Sequence, residues 1–305
     1  MADNKIATGS RDDLNIDASR CLKMRFCDSS CRRCIDICPH NAVSVDRELK
    51  IDPEKCHGCL LCTSVCPVGA LEQNGDFHAC LAKLSKVPES ILGCIRTKEC
   101  SNSTVACLGG LSEEHLVALY HTLAGRLTLN LSLCSDCRNH SIIAQLRQRL
   151  DALSTARLSY SNCRIEISES AQDMNYQDES VDRRSFFKSF RTSLFTSAVA
   201  ILAVHNEQTE CRTDYSVKRV PIRKELLNNT RIQLSQELVV QLGKHFDTCV
   251  SFDETCKRCQ GCVAICPTGA LKTEAEDETP SFDHLLCSGC GLCSEFCLYE
   301  AVRIY

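Results

Sequence analysis

Residues 56–67 read CHGCLLCTSVCP, in which four cysteines follow the spacing C-x2-C-x2-C-x3-C. The same spacing occurs twice near the other end of the chain, as CKRCQGCVAICP at 256–267 and CSGCGLCSEFCL at 287–298. A fourth run, CDSSCRRCIDICP at 27–39, has one additional residue between its first two cysteines. Four such runs are a far more specific signal than a single C-x2-C pair, and they predict bound metal.

This spacing suits a cubane 4Fe–4S cluster, because three thiolates come from one tight loop and the fourth cysteine points to a second cluster. In three of the runs a proline follows the fourth cysteine, where its missing N–H and fixed φ direct the chain away. Leu298 takes that place in the last run. We expect positive φ angles where the backbone must pass close to a cluster, at the loop glycines Gly58, Gly261, Gly289 and Gly291.

The four runs continue as CPHNAV, CPVGAL, CPTGAL and CLYEAV, so each leads through an alanine and a branched apolar residue into a short strand. This internal repeat resembles the bacterial-type two-cluster ferredoxins over residues 20–75 and 247–305. Crossed ligation within each half then assigns sixteen cysteines to four clusters.

Four sites follow from that assignment. Site I comprises Cys27, Cys31, Cys34 and Cys66. Site II comprises Cys56, Cys59, Cys62 and Cys38. Site III comprises Cys256, Cys259, Cys262 and Cys297. Site IV comprises Cys287, Cys290, Cys293 and Cys266. The residue inserted between Cys27 and Cys31 loosens the first loop, which leaves Cys21 as an alternative to Cys27.

The composition argues against other classes of protein. The chain has 305 residues, a net charge of −4, 5% aromatic residues and no tryptophan, so we expect no nucleic-acid partner. Its 26 cysteines would also suit a secreted disulfide scaffold, but such scaffolds are short and follow a signal peptide. The polar start MADNKIATGSRDDLNID predicts a cytoplasmic protein with reduced, metal-binding thiols.

Residues 76–170 alternate between strand-like and helix-like segments, which predicts a small central α/β domain with a parallel sheet. Strands are expected at 89–95, 103–111, 127–134 and 156–168, and helices at 112–125 and 139–153. Ligands gather beyond the carboxyl ends of parallel strands. Four cysteines fall at those ends and predict a fifth metal centre: Cys94, Cys107, Cys134 and Cys137. A zinc site and free or disulfide-forming cysteines are the alternatives.

The stretches CLGG at 107–110 and CSDCRNH at 134–140 resemble the delta subunit of methyl-viologen-reducing hydrogenases. That family holds a 2Fe–2S cluster in a small α/β domain, and the resemblance implies an additional iron–sulfur cluster here. The expected fold class is α+β, with two ferredoxin-like 2×4Fe–4S modules flanking the central parallel-sheet domain. The expected boundaries are 20–75 and 247–305 for the modules, 76–170 for the central domain, and 171–246 for a linker with docking helices.

The linker contains a motif that suggests export. Residues 182–205, DRRSFFKSFRTSLFTSAVAILAVH, resemble a twin-arginine signal, but they lie in the middle of the chain. The apolar run is too short to span a bilayer. We therefore expect a docking helix rather than an export signal or a membrane span, and a second helical segment at 222–246.

No phosphate-binding loop and no nucleophile–base pair is evident in the sequence, so cofactors are expected to carry the chemistry. We predict an oxidoreductase subunit of anaerobic metabolism that relays single electrons through four 4Fe–4S clusters to and from a second carrier. The delta-subunit resemblance implies a hetero-oligomer with flavin, hydrogenase, formate dehydrogenase or heterodisulfide-reductase-like subunits. The alternatives are an enzyme component whose central cysteines are catalytic, and a redox-sensing adaptor.

Overall fold

A computed structural model describes residues 12–174, 176, 215–273 and 278–305 of the chain. The first 65 or so of these residues form short elements around two antiparallel ladders, because each cysteine run ends in a turn that leads into a strand. Strand β1 pairs with β4, and β2 pairs with β3. The elements are β1 (Leu14–Ile16), α1 (Leu22–Arg25), α2 (Arg33–Asp36), β2 (Val43–Val45), β3 (Leu49–Ile51), α3 (Leu61–Val65) and β4 (Leu71–Gln73).

A four-stranded parallel sheet follows, in the order β6-β5-β7-β8. Parallel strands need crossover connections, and two of these are helices whose leucine side chains pack in the core beside the sheet. The chain moves to one side of β5 for β6 and to the other side for β7, so the direction of winding reverses at β5. The elements are α4 (Phe77–Leu84), β5 (Glu89–Cys94), β6 (Ser103–Val105), α5 (Glu113–Thr122), β7 (Gly125–Asn130), α6 (Ile142–Thr155) and β8 (Cys163–Ser168).

The C-terminal part repeats the ladder arrangement of the N-terminal part. Strand β9 pairs with β12, and β10 pairs with β11. Two longer helices precede it, and the first of them packs on α5. The elements are α7 (Ile222–Arg231), α8 (Gln236–Phe246), β9 (Val250–Phe252), α9 (Gly261–Ile265), β10 (Leu271–Lys272), β11 (Ser281–Phe282), α10 (Leu292–Glu295) and β12 (Val302–Ile304).

Two apolar cores hold these parts together. The first core joins the sheet and its helices to Leu60 and Leu61 of the N-terminal part and to Leu226 and Leu227 of α7. The second core surrounds Leu22 and Val68, and it includes Leu292 from the C-terminal part. The three regions are therefore packed against one another within the described residues, although the sequence predicts each as a separate domain.

The parallel sheet lies where the sequence predicts it, with differences at the edges. Strand β6 ends at Val105, before Cys107, and α5 ends at Thr122, so that Gly125 opens β7 with a φ of 89°. The segment 222–246 forms two helices, because Ser235 caps a new helix start. Residues 182–205 lie outside the described residues. No helix in the part of the chain that the structure describes is long and apolar enough to cross a bilayer.

Candidate iron–sulfur sites

Three of the four cysteine loops share one backbone path. The second residue after the first cysteine is left-handed in each, as at Gly58, Arg258 and Gly289. The fourth residue is left-handed too, and a short helix begins after it; these residues are Leu60, Gln260 and Gly291. The prediction of positive φ is therefore correct for three of the four glycines. It is wrong for Gly261, which begins α9, because Gln260 takes the left-handed turn at that position.

Site II has its four cysteines around one cavity. Burial raises the pKa of Cys59 and Cys62, and the thiol of Cys38 adds to both rises. The backbone amide of Ala42 donates to Cys38 Sγ at 3.3 Å. The structure thus brings Cys38 from the neighbouring run to the loop thiols, as crossed ligation requires.

Site I is less regular. Burial first, and then the thiols of Cys66 and Cys21, raise the pKa of Cys34 to about 12. Cys31 acts on Cys34 in the same direction. Cys27 is exposed, and its Sγ lies 3.7 Å from Asp28 Oδ1. The thiol of Cys66, which belongs to the second cysteine run, is therefore close to this loop, as crossed ligation requires. Cys27, the first cysteine of the loop, points toward solvent instead.

Site III lies at the surface of the C-terminal part. Its four cysteines line one cavity together with Leu298. Burial, and then the thiols of Cys256 and Cys259, raise the pKa of Cys262 to about 11. Cys259 is exposed, and the backbone amide of Ala301 donates to Cys297 Sγ at 3.4 Å.

Site IV also gathers its four cysteines around one cavity. Burial raises the pKa of Cys290 to about 11 and that of Cys293 to about 12, and the thiol of Cys266 contributes to both. Burial would raise the pKa of Cys266 as well, but hydrogen bonds from Thr268 and from backbone amides lower it.

These donor sets fit a cubane better than a single ion. Within the residues the structure describes, no group of three or more His, Cys, Asp or Glu side chains is arranged to hold one metal ion. The thiolates of a cubane bind different irons and therefore stand apart around the cluster. Each set consists of four sulfur ligands, and the buried thiols among them with raised pKa values need a cationic metal to displace their protons.

The central cysteines also come together. A cleft of about 510 Å³ is lined by all four predicted residues: Cys94, Cys107, Cys134 and Cys137. Burial raises the pKa of Cys107 to about 12 and that of Cys134 to about 11, with the thiol of Cys94 contributing to both. Cys94 ends β5, and the others follow the carboxyl ends of β6 and β7, so the sheet topology produces this grouping. We call this group the central site.

The central site lies directly beside site II. His57 and Gly58 of the site II loop line the same cleft, and the thiol of Cys59 adds to the raised pKa of Cys107. A side chain at Gly109 would meet the Cys59 carbonyl oxygen at 2.2 Å, so only glycine permits this approach. Asn139 Nδ2 donates to the His57 carbonyl at 2.9 Å.

Arg149 fixes the two regions to each other. This buried side chain on α6 donates to the carbonyl oxygens of Gly109 and Leu111, at 3.0 and 2.5 Å. Its other terminal nitrogen donates to Ser64 Oγ on α3 at 2.6 Å. Burial lowers the pKa of Arg149 to about 10, but the group remains charged at neutral pH.

Site I faces site IV across the contact between the two ferredoxin-like parts. The rings of Phe26 and Phe296 meet edge to face, with centroids 5.4 Å apart. Glu295 accepts from the Ser30 amide at 3.2 Å and from the Ser30 hydroxyl. Cys290 of site IV packs against the core that contains the site I thiols.

Comparison with known families defines the class of these regions. Residues 49–72 match the 4Fe–4S binding domain, and residues 249–298 match the 4Fe–4S dicluster domain. The chain therefore carries 4Fe–4S domains near both ends, and the ferredoxin resemblance is confirmed to that extent. The first match begins after the irregular loop at 27–34.

Three curated relatives are similar over parts of the chain. The pyruvate synthase subunit PorD of Methanocaldococcus jannaschii is 36% identical over 58 residues, which are 18% of this chain and 59% of that protein. PorD of Methanothermobacter marburgensis is 33% identical over 51 residues, 17% of this chain and 57% of that protein. The isethionate sulfite-lyase activating enzyme of Oleidesulfovibrio alaskensis is 30% identical over 122 residues, 40% of this chain and 37% of that enzyme.

The matched segments thus span less than two thirds of each of these relatives. No solved structure matches the chain. The similarities support iron–sulfur electron transfer as the general role of the chain. The resemblance of the central region to the hydrogenase delta subunit stays a prediction.

Proposed function

We propose that this chain is an electron-transfer subunit that relays single electrons through four 4Fe–4S clusters, between a catalytic oxidoreductase partner and a second carrier. Sites II to IV would hold their clusters through the twelve predicted cysteines, and site I would hold the fourth cluster through Cys31, Cys34, Cys66 and either Cys27 or Cys21. When bound, each cluster supplies reversible one-electron chemistry. The observation that carries the proposal is that the thiols of neighbouring sites act on one another electrostatically or pack on a shared core.

This proximity suggests an order. The thiol of Cys34 in site I acts on Cys62 in site II, and Cys262 in site III acts on Cys293 in site IV. The shared core joins site I to site IV. The resulting sequence is site III, site IV, site I, site II and then the central site. The polypeptide would keep each neighbouring pair close enough for electron exchange, with no large movement between regions.

The proposed partners are proteins. PorD is a subunit of pyruvate synthase, so a relative of part of this chain belongs to a multi-subunit oxidoreductase. This supports a hetero-oligomer. A flavin, hydrogenase, formate dehydrogenase or heterodisulfide-reductase-like subunit would supply or accept electrons, and the proposed location is the cytoplasm.

The test is purification of the full chain without oxygen, followed by iron and sulfide analysis and EPR of the dithionite-reduced protein. Four cubanes predict about sixteen irons per chain, since each cubane carries four. Spin coupling between adjacent clusters should broaden the EPR spectrum. A stable, folded protein with fewer than about twelve irons would overturn the four-cluster proposal.

The central site is proposed as a fifth centre of the same relay. Its cleft adjoins site II, and its thiols are sulfur ligands of the kind that iron–sulfur clusters use. Cys134→Ala should remove one spectroscopic signal and leave the signals of the four ferredoxin sites intact. Cys100→Ala is the matched control, because Cys100 is exposed and does not line the cleft. Identical spectra for both variants and the unaltered chain would refute a fifth centre.

One observation favours a second function. The central cleft is open enough to admit a small molecule and brings Arg96 and His57 to the same surface as the thiols. The chain would then be an enzyme component whose central cysteines reduce a bound substrate. This candidate requires that Cys137→Ala abolish turnover of the purified complex while all four cubanes remain reducible.

A further inference from the structure

The first cysteine loop does not follow the path of the other three. None of residues 27–34, all of which the structure describes, has a positive φ, whereas each regular loop has two left-handed residues. The side chain of Cys27 is exposed and contacts the neighbouring Asp28. Cys27 is also absent from the apolar core around which Cys31, Cys34 and Cys66 pack.

Cys21 lies where the missing thiol is needed. It packs against the same core as the other site I cysteines. The thiols of Cys66 and Cys31 both act on it electrostatically, and burial raises its pKa. Backbone amides of Lys23 and Met24 hydrogen-bond to its sulfur. In the regular loops, the thiols of Cys59 and Cys290 likewise accept a hydrogen bond from the backbone amide two residues later in the chain.

Long-range pairing holds Cys21 in this place. Strand β1 pairs with β4, and the Asp17 amide donates to the Ala70 carbonyl at 2.9 Å. Asp17 also caps the short 3-10 helix Ala18–Arg20 that leads into Cys21. Because β4 follows directly from the turn after Cys66, this ladder sets Cys21 beside Cys66.

The residues between Cys21 and Cys31 serve another purpose. Phe26 packs edge to face on Phe296, and Ser30 donates to Glu295. Cys27 lies between these two docking residues. The segment can form the contact because the ligand precedes it in the chain.

We infer that the cluster of site I is held by Cys21, Cys31, Cys34 and Cys66, and that Cys27 is not a ligand. The ligand spacing is therefore C-x9-C-x2-C, and the intervening residues dock the C-terminal part. This inference rests on the proposed function, because it assumes that site I holds a 4Fe–4S cluster.

The first test compares Cys21→Ala with Cys27→Ala in the full chain, purified without oxygen. Cys21→Ala should lose up to about four irons per chain, or one iron if a 3Fe–4S cluster remains, and it should change the low-temperature EPR and Mössbauer spectra. Cys27→Ala should keep the iron content and spectra of the unaltered chain. The reverse pattern, or unchanged iron in Cys21→Ala, overturns the inference.

The second test needs no variant and so does not depend on folding of Cys21→Ala. The unaltered holoprotein is treated with iodoacetamide without oxygen, and labelled cysteines are located by mass spectrometry. Cys27 should be alkylated, and Cys21 should be protected until the clusters are removed. Alkylation of Cys21 or protection of Cys27 in the holoprotein overturns the inference. Iron analysis of the same sample tests the proposed function separately. A low iron content would contradict the presence of four clusters, whereas the labelling pattern tests which cysteine binds the cluster of site I.

Discussion

Sites II and III are formed by cysteine loops of the same spacing and backbone path, yet their surroundings are opposite. In site II, Cys59, Leu60 and Leu61 are 8%, 3% and 1% exposed, because the central domain covers them. In site III the corresponding Cys259 is exposed, and no residue of α9 is buried. The same ligand spacing thus serves one internal site and one surface site. In the proposed relay, electrons would therefore enter or leave the chain at site III and pass site II on the way to the central site.

The largest effect expected from this difference is in the rate of iron loss. In reduced holoprotein exposed to an iron chelator, site III should release iron on the order of tenfold faster than site II, because it needs less local opening. The measurement is iron release followed by absorbance without oxygen. Cys262→Ala should remove the fast phase, and Cys62→Ala should preserve it. A fast phase that persists in Cys262→Ala would show that exposure does not set the rate.

The stability of the fold should respond unequally to equivalent substitutions. Leu60→Ala should lower the free energy of unfolding by about 2–5 kcal/mol, because it leaves a cavity in the first core. Gln260→Ala should cost about 1 kcal/mol or less, since it removes mainly the hydrogen bond from Gln260 Nε2 to the Glu278 carbonyl. Both residues have left-handed backbone, so strain is the same in the two variants.

Anoxic denaturant unfolding followed by circular dichroism measures both changes. Equal destabilisation by the two substitutions would contradict the distinction between a covered and an exposed loop.

The contact between the two halves should tune site IV. Arg25 and Lys218 both act electrostatically on Cys266. Arg25→Gln or Lys218→Gln should lower the reduction potential of site IV by on the order of tens of millivolts, because a nearby positive charge favours the reduced cluster. EPR-monitored redox titration measures the shift. Lys86→Gln, an exposed position after α4, is the control and should leave every potential unchanged.

A further effect concerns acid stability. Burial is the main cause that lowers the pKa of His115 from 6.5 to about 4. The unfolded chain therefore binds this proton first, so the free energy of unfolding should fall as the pH falls from about 6.5 toward about 4. His115→Gln should reduce this slope, whereas His284→Gln, at an exposed position in the C-terminal part, should not. The measurement is the anoxic melting temperature against pH, and equal slopes for all three proteins would argue against a neutral, buried His115.

The features that the sequence predicts well are those set by local spacing. The grouping of Cys38 with the cysteines of the site II loop can be predicted from the spacing of the cysteine runs. The parallel sheet can be predicted from the alternation of strand-like and helix-like segments. The positions of the left-handed residues in the cysteine loops are less predictable, because closing the loop forces that conformation on residues that do not prefer it. Leu60 and Gln260 adopt the left-handed turn, whereas the glycine at 261 begins a helix in contact with Phe296.

Long-range packing is not evident from the sequence. The proximity of Cys21 to Cys66 depends on the pairing of β1 with β4, which have no distinctive sequence pattern. The approach of the central site to site II depends on Gly109 and on the buried Arg149. An arginine on an amphipathic helix is ordinarily a surface residue, so its sequence gives no sign that it joins two regions.

The position of α7 and α8 has a consequence for the synthesis of the protein. Leu226, Leu227 and Leu242 complete the core that also contains the sheet and its helices. A nascent chain that has emerged only as far as β8 lacks these residues, and the side of α5 on which α7 packs is still uncovered. The core around the sheet is therefore complete only after the chain has been translated through α8. Until then, the nascent chain exposes an apolar surface that the finished molecule conceals.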